Sequence, residues 1–140
     1  MSSKFVVCAS SIGVKEFPIY KRRVQFVDTD LAGIVHFSKI LCYVEEAEHF
    51  VMQGESVPAV DVSGGFPKVH VDCDYLSPLR FGDDAEIQMC LERVGGKSLT
   101  WKFIVRVADL ISAEGRLVTV YVSSLGESEA IPQVYRVSLS

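Results

Sequence analysis

One segment with helical periodicity, followed only by segments typical of strands, is the feature that most limits the fold of this sequence. Apolar residues recur at helical spacing from Ser38 to Gln53, and Gly54 then provides a helix stop. Five other segments have strand character: Glu16–Val27, Phe66–Leu76, Ala85–Val94, Leu99–Val107 and Arg116–Ser124. One long helix among about five strands cannot form alternating βαβ units. We therefore predict an α+β fold in which a curved antiparallel sheet of about five strands wraps around one long helix.

Turn residues divide the strands. Gly95-Gly96 predicts a hairpin between the third and fourth strands, and Glu114-Gly115 predicts a turn before the last one. The segment 55–65 is rich in Gly, Ser, Pro and Asp, which predicts an irregular loop. Since the last strand is apolar on both faces, we expect it to be central or covered by another subunit.

The length and hydrophobic content predict a single domain. The chain has 140 residues, of which 49% are hydrophobic, enough for one core without metal or disulfide staples. We assign residues 16–140 to this domain and residues 1–15 to an N-terminal arm or extra edge segment. The open edges of the sheet favour two-fold association into a homodimer.

Charge and cysteine usage restrict the partners and the compartment. A net charge of -4 without a Lys/Arg cluster argues against nucleic acid or an anionic membrane as the main partner. No segment approaches the ~18 apolar residues of a membrane span. Cys8, Cys42, Cys73 and Cys90 are far apart, which indicates neither a zinc site nor a redox pair. We expect buried free thiols and a cytoplasmic protein.

The segment from Val27 to Phe37 carries the candidate chemistry. Asp28 and Asp30 follow the first strand, Gly33 permits a sharp bend, and a helix then begins. The free N–H groups of a helix start can stabilise an oxyanion, so a nearby carboxylate completes the minimum set for acyl hydrolysis. The alternative is that both aspartates only cap a turn, a common role for this residue type.

This chain resembles the hotdog-fold thioesterases, specifically the 4-hydroxybenzoyl-CoA thioesterase-like family. The segment from Asp28 to Val35 matches the family signature D-x-D-x-x-G-[IV]-V. Weaker agreement comes from Glu45, Pro78, Phe81-Gly82-Asp83 and Lys97-Ser98. The resemblance implies hydrolysis of an acyl-CoA thioester to the free acid and CoA, without a metal or other cofactor.

The resemblance also implies roles for particular residues. Asp30 would be the nucleophile or the general base, and the backbone N–H of Phe37 would polarise the thioester carbonyl. Gly33 would shape the loop, and His36 would help to form the acyl pocket. Glu45 would be the next carboxylate to consider, because another hotdog subfamily uses an acid from this helix.

In this interpretation, basic side chains at three positions bind the phosphate groups of CoA. Lys97 matches a CoA-binding lysine of the relatives, with Arg93 and Arg80 as further candidates. Relatives can carry arginines where Gly95 and Gly96 stand here. An acyl-carrier-protein thioester therefore stays an alternative substrate.

Two other functions remain open from the sequence. A hotdog dehydratase or hydratase pairs a loop histidine with a helix acid, as His36 and Glu45 or Glu46 superficially do. A non-catalytic acyl-thioester binding protein would keep the pocket but not use Asp30. For the acyl-CoA thioesterase we expect a homodimer, assembled into a tetramer. The sequence does not identify the acyl group.

Overall fold

The structure, a computed structural model, describes residues 15–140. All of the predicted N-terminal arm except Lys15 therefore lies outside the described residues. The strands are β1 (Tyr20–Arg23), β2 (Val60–Asp61), β3 (Gly64–Gly65), β4 (Lys68–Tyr75), β5 (Asp84–Val94), β6 (Ser98–Val107), β7 (Leu110–Val120) and β8 (Val122–Ser123). The helices are α1 (Phe37–Gly54) and α2 (Gln133–Leu139), and a single 3-10 turn spans Phe26–Asp28.

The main sheet has five strands in the order β1-β5-β6-β7-β4, and every neighbouring pair is antiparallel. The three short strands form a second sheet in the order β2-β3-β8. The predicted α+β class and the five-stranded antiparallel sheet are thus confirmed. Strand β7 lies inside the sheet, which explains its apolar residues on both faces.

Helix α1 forms where the sequence predicts it, one residue longer at each end. The side chain of His36 caps its first turn by accepting a hydrogen bond from the Ser38 N–H. Its apolar face lies against β1 and β5 and buries Ile40, Tyr43, Val44, Ala47, Val51 and Met52. These side chains join Trp101, Phe103 and Val105 of β6 in one core. Burial of each large apolar side chain contributes roughly 1.5–3 kcal/mol.

The first strand is shorter than predicted. β1 ends at Arg23, and the 3-10 turn follows at Phe26–Asp28, instead of a strand from Glu16 to Val27. The carboxylate of Asp28 accepts a hydrogen bond from the Gln25 N–H, which holds the chain in this turn. The predicted loop 55–65 also contains the short strands β2 and β3.

Two features at the C-terminal end differ from the prediction. Gly115 lies in the middle of β7, and the turn between β6 and β7 is at 108–109, where Ala108 has a φ of 52°. A Cβ atom on Gly115 would lie 2.0 Å from the carbonyl oxygen of Asp72. The glycine therefore permits close approach of β4, not a turn. Helix α2 was not predicted, and it buries Tyr135 and Leu139.

The prediction of buried free thiols is wrong in part. Cys42 and Cys73 are free, but Cys42 is exposed and Cys73 is half-buried. Cys90 is buried and disulfide-bonded. Cys8 lies outside the described residues, so within residues 15–140 the argument for a reducing compartment rests on Cys42 and Cys73. In residues 15–140, neither helix has the length and apolar character needed to cross a membrane.

Candidate active site

The acidic segment folds into a tight hairpin just before α1. Thr29 and Val35 form an antiparallel bridge, and the Asp30 N–H donates to the Ile34 carbonyl at 2.9 Å. Gly33 closes the turn with a φ of 78°, and its N–H donates to the Asp30 carbonyl at 2.9 Å. Only glycine adopts this left-handed backbone without strain. The hairpin thus sets Asp30 opposite Ile34. Ile34 lies three residues before the first residue of α1.

The two aspartates of the hairpin have different environments. Asp28 is only 3% exposed, and its carboxylate accepts a 2.7 Å hydrogen bond from the Tyr43 hydroxyl of α1. The Arg22 guanidinium lies 3.4 Å from the same carboxylate and over the Tyr43 ring. Burial pushes the pKa of Asp28 up, but these hydrogen bonds and the Arg22 charge together hold it below its usual value. Asp28 is therefore a structural anion that ties the hairpin to the helix.

Asp30, in contrast, is exposed. Its Oδ1 accepts a 2.8 Å hydrogen bond from the Ala32 N–H, which fixes the orientation of the carboxylate. Among residues 15–140, nothing donates a hydrogen bond to its Oδ2. One carboxylate oxygen is thus available to attack a carbonyl carbon or to accept a proton from water.

The start of α1 provides the second half of the candidate site. Within residues 15–140, the Phe37 N–H has no hydrogen-bond acceptor, as expected for the first residue of a helix. Its side chain is 61% exposed, and its ring lies 4.6 Å from the His36 ring. His36 caps the helix through Nδ1, which also lies 2.7 Å from Ser38 Oγ. The partial positive charge of the helix end favours an oxyanion here.

The hairpin brings only one of the three candidate cations close to Asp30. Arg80 forms an antiparallel bridge with Ile34, next to the hairpin. Arg93 lies near the far end of β5 and Lys97 just beyond it, and β5 itself is roughly 30 Å long at ~3.3 Å per residue. In a single protomer, Arg80 is therefore the candidate cation beside Asp30, while Arg93 and Lys97 are remote from it.

The acidic side chains of α1 differ in their exposure to solvent. Glu45 is exposed, with its carboxylate 3.4 Å from the Lys68 ammonium of β4. Glu48 is fully buried and pairs with the same ammonium at 2.6 Å. Glu48 therefore lies on the core-facing side of α1. Its spacing of four residues from both Val44 and Met52 already places it on the apolar face.

A small cavity lies between α1 and β4. Its volume is about 140 Å³, and it is lined by Leu41, Val44, Glu45, Lys68, Val71 and Leu117. The sequence could not show this cavity, because it depends on how the edge strand lies against the helix. In the described part of the chain, no group of His, Cys, Asp and Glu side chains could hold a metal ion.

Comparisons with known proteins agree on one family. The family model of the thioesterase superfamily matches residues 32–114. The 1,4-dihydroxy-2-naphthoyl-CoA hydrolase of Nostoc punctiforme is 32% identical over 116 residues, which cover 79% of this chain and 78% of that protein.

Solved structures give the same result. The structure of a gentisyl-coenzyme A thioesterase has a TM-score of 0.82 and 28% identity, covering 88% of this chain and 100% of that chain. A protein from Aquifex aeolicus has a TM-score of 0.83 and 30% identity, covering 87% of this chain and 98% of that one. These likenesses confirm the predicted hotdog fold.

Proposed function

Because this chain belongs to the thioesterase superfamily, we propose that it hydrolyses an acyl-CoA thioester to the free acid and CoA, with Asp30 as the catalytic carboxylate. The observation that carries this proposal is that the hairpin has an available carboxylate oxygen and the adjoining start of α1 has an available N–H group. Asp30 Oδ2 has no donor and the Phe37 N–H has no acceptor among residues 15–140. A carbonyl group held between them would meet a base or nucleophile on carbon and a donor on oxygen.

The helix start polarises the carbonyl group. When the thioester oxygen accepts a hydrogen bond from the Phe37 N–H, negative charge that develops on that oxygen is stabilised by this donor and by the helix dipole. Loss of one such donor in other enzymes costs about 10²–10³-fold in kcat. Since the donor is a backbone group, substitution of the Phe37 side chain would not remove it.

Asp30 supplies the second half of the reaction by one of two routes. As nucleophile, Oδ2 forms a bond to the carbonyl carbon, the C–S bond breaks, and water then hydrolyses the mixed anhydride. As general base, Oδ2 accepts a proton from water while the water oxygen attacks the carbonyl carbon. In both routes the sulfur leaves as CoA thiolate and is then protonated. The Ala32 N–H keeps the carboxylate oriented in either case.

The substrate class is an aromatic acyl-CoA. This part of the proposal is supported by the relatives named for 1,4-dihydroxy-2-naphthoyl-CoA and gentisyl-coenzyme A. Arg80 would bind a phosphate group of the CoA from the same protomer. Lys97 and Arg93 of another protomer would also bind the CoA phosphates. An acyl-carrier-protein thioester is the alternative carrier.

We also propose that the active unit is a homodimer formed through β4, with two dimers in a tetramer. β4 is an edge strand of the sheet, and seven of its eight residues are exposed. Beside the hairpin, the exposed rings of Phe26 and Phe81 pack edge to face at 6.0 Å. An unpaired edge and exposed aromatic rings are surfaces that a second copy would cover. A cytoplasmic location stays a prediction.

The function is tested by the release of thiol from aromatic, short-chain and long-chain acyl-CoAs. We expect the wild-type protein to hydrolyse aromatic acyl-CoAs, and Asp30→Asn to reduce kcat by at least ~100-fold. The control is Asp109→Asn, which changes an exposed aspartate in the turn between β6 and β7 and should keep full activity. Unchanged turnover in Asp30→Asn would overturn the proposed mechanism.

The same panel separates the alternative functions. Hydration of an enoyl-CoA without thiol release would identify a hydratase. Tight binding of acyl-CoAs without turnover by the wild-type protein would identify a non-catalytic binding protein.

A further inference from the structure

The main sheet has an outer face, which is turned away from α1. Successive side chains of a strand point to opposite faces of a sheet. Since Ile87 of β5 belongs to the core beneath α1, its neighbour Gln88 points to the outer face, and so does Cys90. On β6, Ile104 pairs with Gln88, and the Arg106 guanidinium lies 3.5 Å from Gln88 Oε1. Gln88, Cys90, Ile104 and Arg106 therefore form one patch on this face, which we call the outer patch.

The outer patch is buried, although both helices lie on the other face of the sheet. Cys90 is 1% exposed, and Arg106, the most exposed of the four side chains, is 6% exposed. Helices α1 and α2 bury their apolar side chains in the core, to which Ile104 does not belong. Within residues 15–140, neither helix therefore covers the outer patch. A sheet face without a cover exposes its side chains to water, so another segment must lie on this one.

The disulfide bond of Cys90 identifies this segment. Cys90 is disulfide-bonded, whereas Cys42 and Cys73 are free. The sequence contains one further cysteine, Cys8. Within one chain, Cys8 is thus the remaining partner for Cys90. It belongs to residues 1–14, which lie outside the described part of the chain.

The described chain begins within reach of Cys90. The Phe17 ring lies 5.6 Å from the Trp101 ring, and Trp101 pairs with Leu91, the residue after Cys90. Cys8 precedes Phe17 by nine residues, which can span up to ~30 Å at ~3.3 Å per residue. This reach exceeds the ~10 Å that separates packed layers of a protein. The chain before Phe17 is therefore long enough to pass from the core to the outer face.

One edge of β5 leaves room for this passage. β1 pairs with β5 from Asp84 to Ile87. Among residues 15–140, no strand pairs with the same edge of β5 beyond Ile87. The chain can therefore go round this edge without crossing another strand. The segment Phe5-Val6-Val7-Cys8-Ala9 is apolar, which suits contact with Ile104.

We propose that residues 1–14 dock on the outer patch and are fastened there by a disulfide bond between Cys8 and Cys90. The apolar segment around Cys8 covers Ile104, and the disulfide bond keeps it in place. Because this segment occupies the outer patch, a second copy of the chain cannot use the patch as a contact surface. The inference does not depend on the proposed function, since it concerns neither Asp30 nor the start of α1.

The first test identifies the partner of Cys90 by mass spectrometry. Trypsin places each cysteine in a separate peptide: 5–15 with Cys8, 40–68 with Cys42, 69–80 with Cys73 and 81–93 with Cys90. The full-length protein is incubated with glutathione disulfide, which accepts the two hydrogen atoms of a pair of thiols. It is then alkylated and digested without reductant. We expect peptide 81–93 to be linked to peptide 5–15, and any other state of peptide 81–93 would overturn the proposal.

The second test uses Cys90 as a probe of the cover. In the full-length Cys8→Ser variant, Cys90 is a thiol beneath the docked segment, and its alkylation rate is measured on peptide 81–93. Adding Phe5→Ser and Val7→Ser removes apolar side chains that hold the segment on the patch. We expect Cys90 to react at least ~10-fold faster in this triple variant than in Cys8→Ser. The exposed Cys42 is the internal control and should react equally in both. Equal rates for Cys90 would show that residues 1–14 do not cover it.

The third test measures what the bond adds to stability. A disulfide bond restricts the unfolded chain, so the oxidised wild-type protein should unfold at a temperature at least ~5 °C higher than Cys8→Ser. Dithiothreitol should abolish this difference. Cys73→Ser is the matched control, because it removes a free thiol and should leave the wild-type difference between oxidised and reduced protein unchanged. Equal unfolding temperatures of the oxidised wild-type and Cys8→Ser proteins would contradict the fastening role of the bond.

Discussion

The Tyr43 hydroxyl donates a 2.7 Å hydrogen bond to the buried carboxylate of Asp28. This contact joins the hairpin to the core face of α1, since Tyr43 is fully buried there. Burial, together with the nearby Asp28 charge, raises the pKa of Tyr43, so its hydroxyl stays a donor at neutral pH. The first aspartate of the signature is thus used for structure, and the second is left exposed.

Asp28→Asn should destabilise the protein in a pH-dependent way. Since the folded state lowers the pKa of Asp28, its contribution is complete above the unfolded pKa of ~3.9 and is lost as the pH falls through the folded value. We expect the variant to be about 1.5–3 kcal/mol less stable at pH 7, a difference that shrinks below pH ~4. Urea unfolding between pH 3 and 7 measures it. Asp30→Asn, the exposed neighbour, should change stability by less than ~0.5 kcal/mol.

Gly33→Ala should reduce activity more than stability. A Cβ atom at Gly33 would meet nothing within 4 Å, but the φ of 78° is unfavourable for alanine by ~1–2 kcal/mol. Relief of this strain would shift the hairpin that orients Asp30, and a displacement of ~1 Å can cost 10²-fold in rate. We expect kcat to fall at least ~10-fold.

Gly54→Ala is the control for this change. Gly54 also has open space around its Cβ position, but no left-handed backbone. Alanine should therefore leave kcat unchanged and should not destabilise the protein. Equal kcat values for Gly33→Ala and the wild-type protein would show that the bend does not position Asp30.

The parts of the fold that the sequence predicts correctly are those with a local signal. Helix α1 has a long apolar period, β6 alternates clearly, and Gly95-Gly96 marks the hairpin between β5 and β6. Helix α2 is missed because its seven residues are too few for a period to be recognised. Gly115 is misread because the sequence cannot show that the Asp72 backbone lies against it.

The candidate site likewise contains some residues that the sequence can identify and others that only the structure brings together. The hairpin with Asp30 and Gly33 is contiguous in sequence, so a motif can identify it. The contact between Lys68 and Glu48 joins residues that are 20 positions apart, and only the packing of β4 beside α1 brings them together. Lys68 therefore carries no signal in the sequence, although Glu48 shows its burial through its helical spacing.

Arg80 and Lys97 should differ in their effect on KM if a single protomer binds the CoA. Arg80 lies beside the hairpin, while Lys97 lies beyond the opposite end of β5. We expect Arg80→Met to raise KM for an acyl-CoA by about 5-fold with little change in kcat, as for a partly exposed ion pair. Steady-state kinetics at low and high salt measure this effect. A larger increase for Lys97→Met would show that a second protomer supplies the phosphate site.

Val69→Lys should weaken the proposed dimer. Val69 is 59% exposed on edge strand β4, and lysine on an edge strand opposes pairing with another copy. If two copies pair through β4, the variant should shift the protein toward monomer in sedimentation experiments and lower the specific activity at low protein concentration. Val134→Lys changes a valine of similar exposure, 57%, on α2 and should leave the oligomeric state unchanged. If Val134→Lys dissociates the protein while Val69→Lys does not, the interface lies at α2, and the active unit must be assembled without the β4 edge.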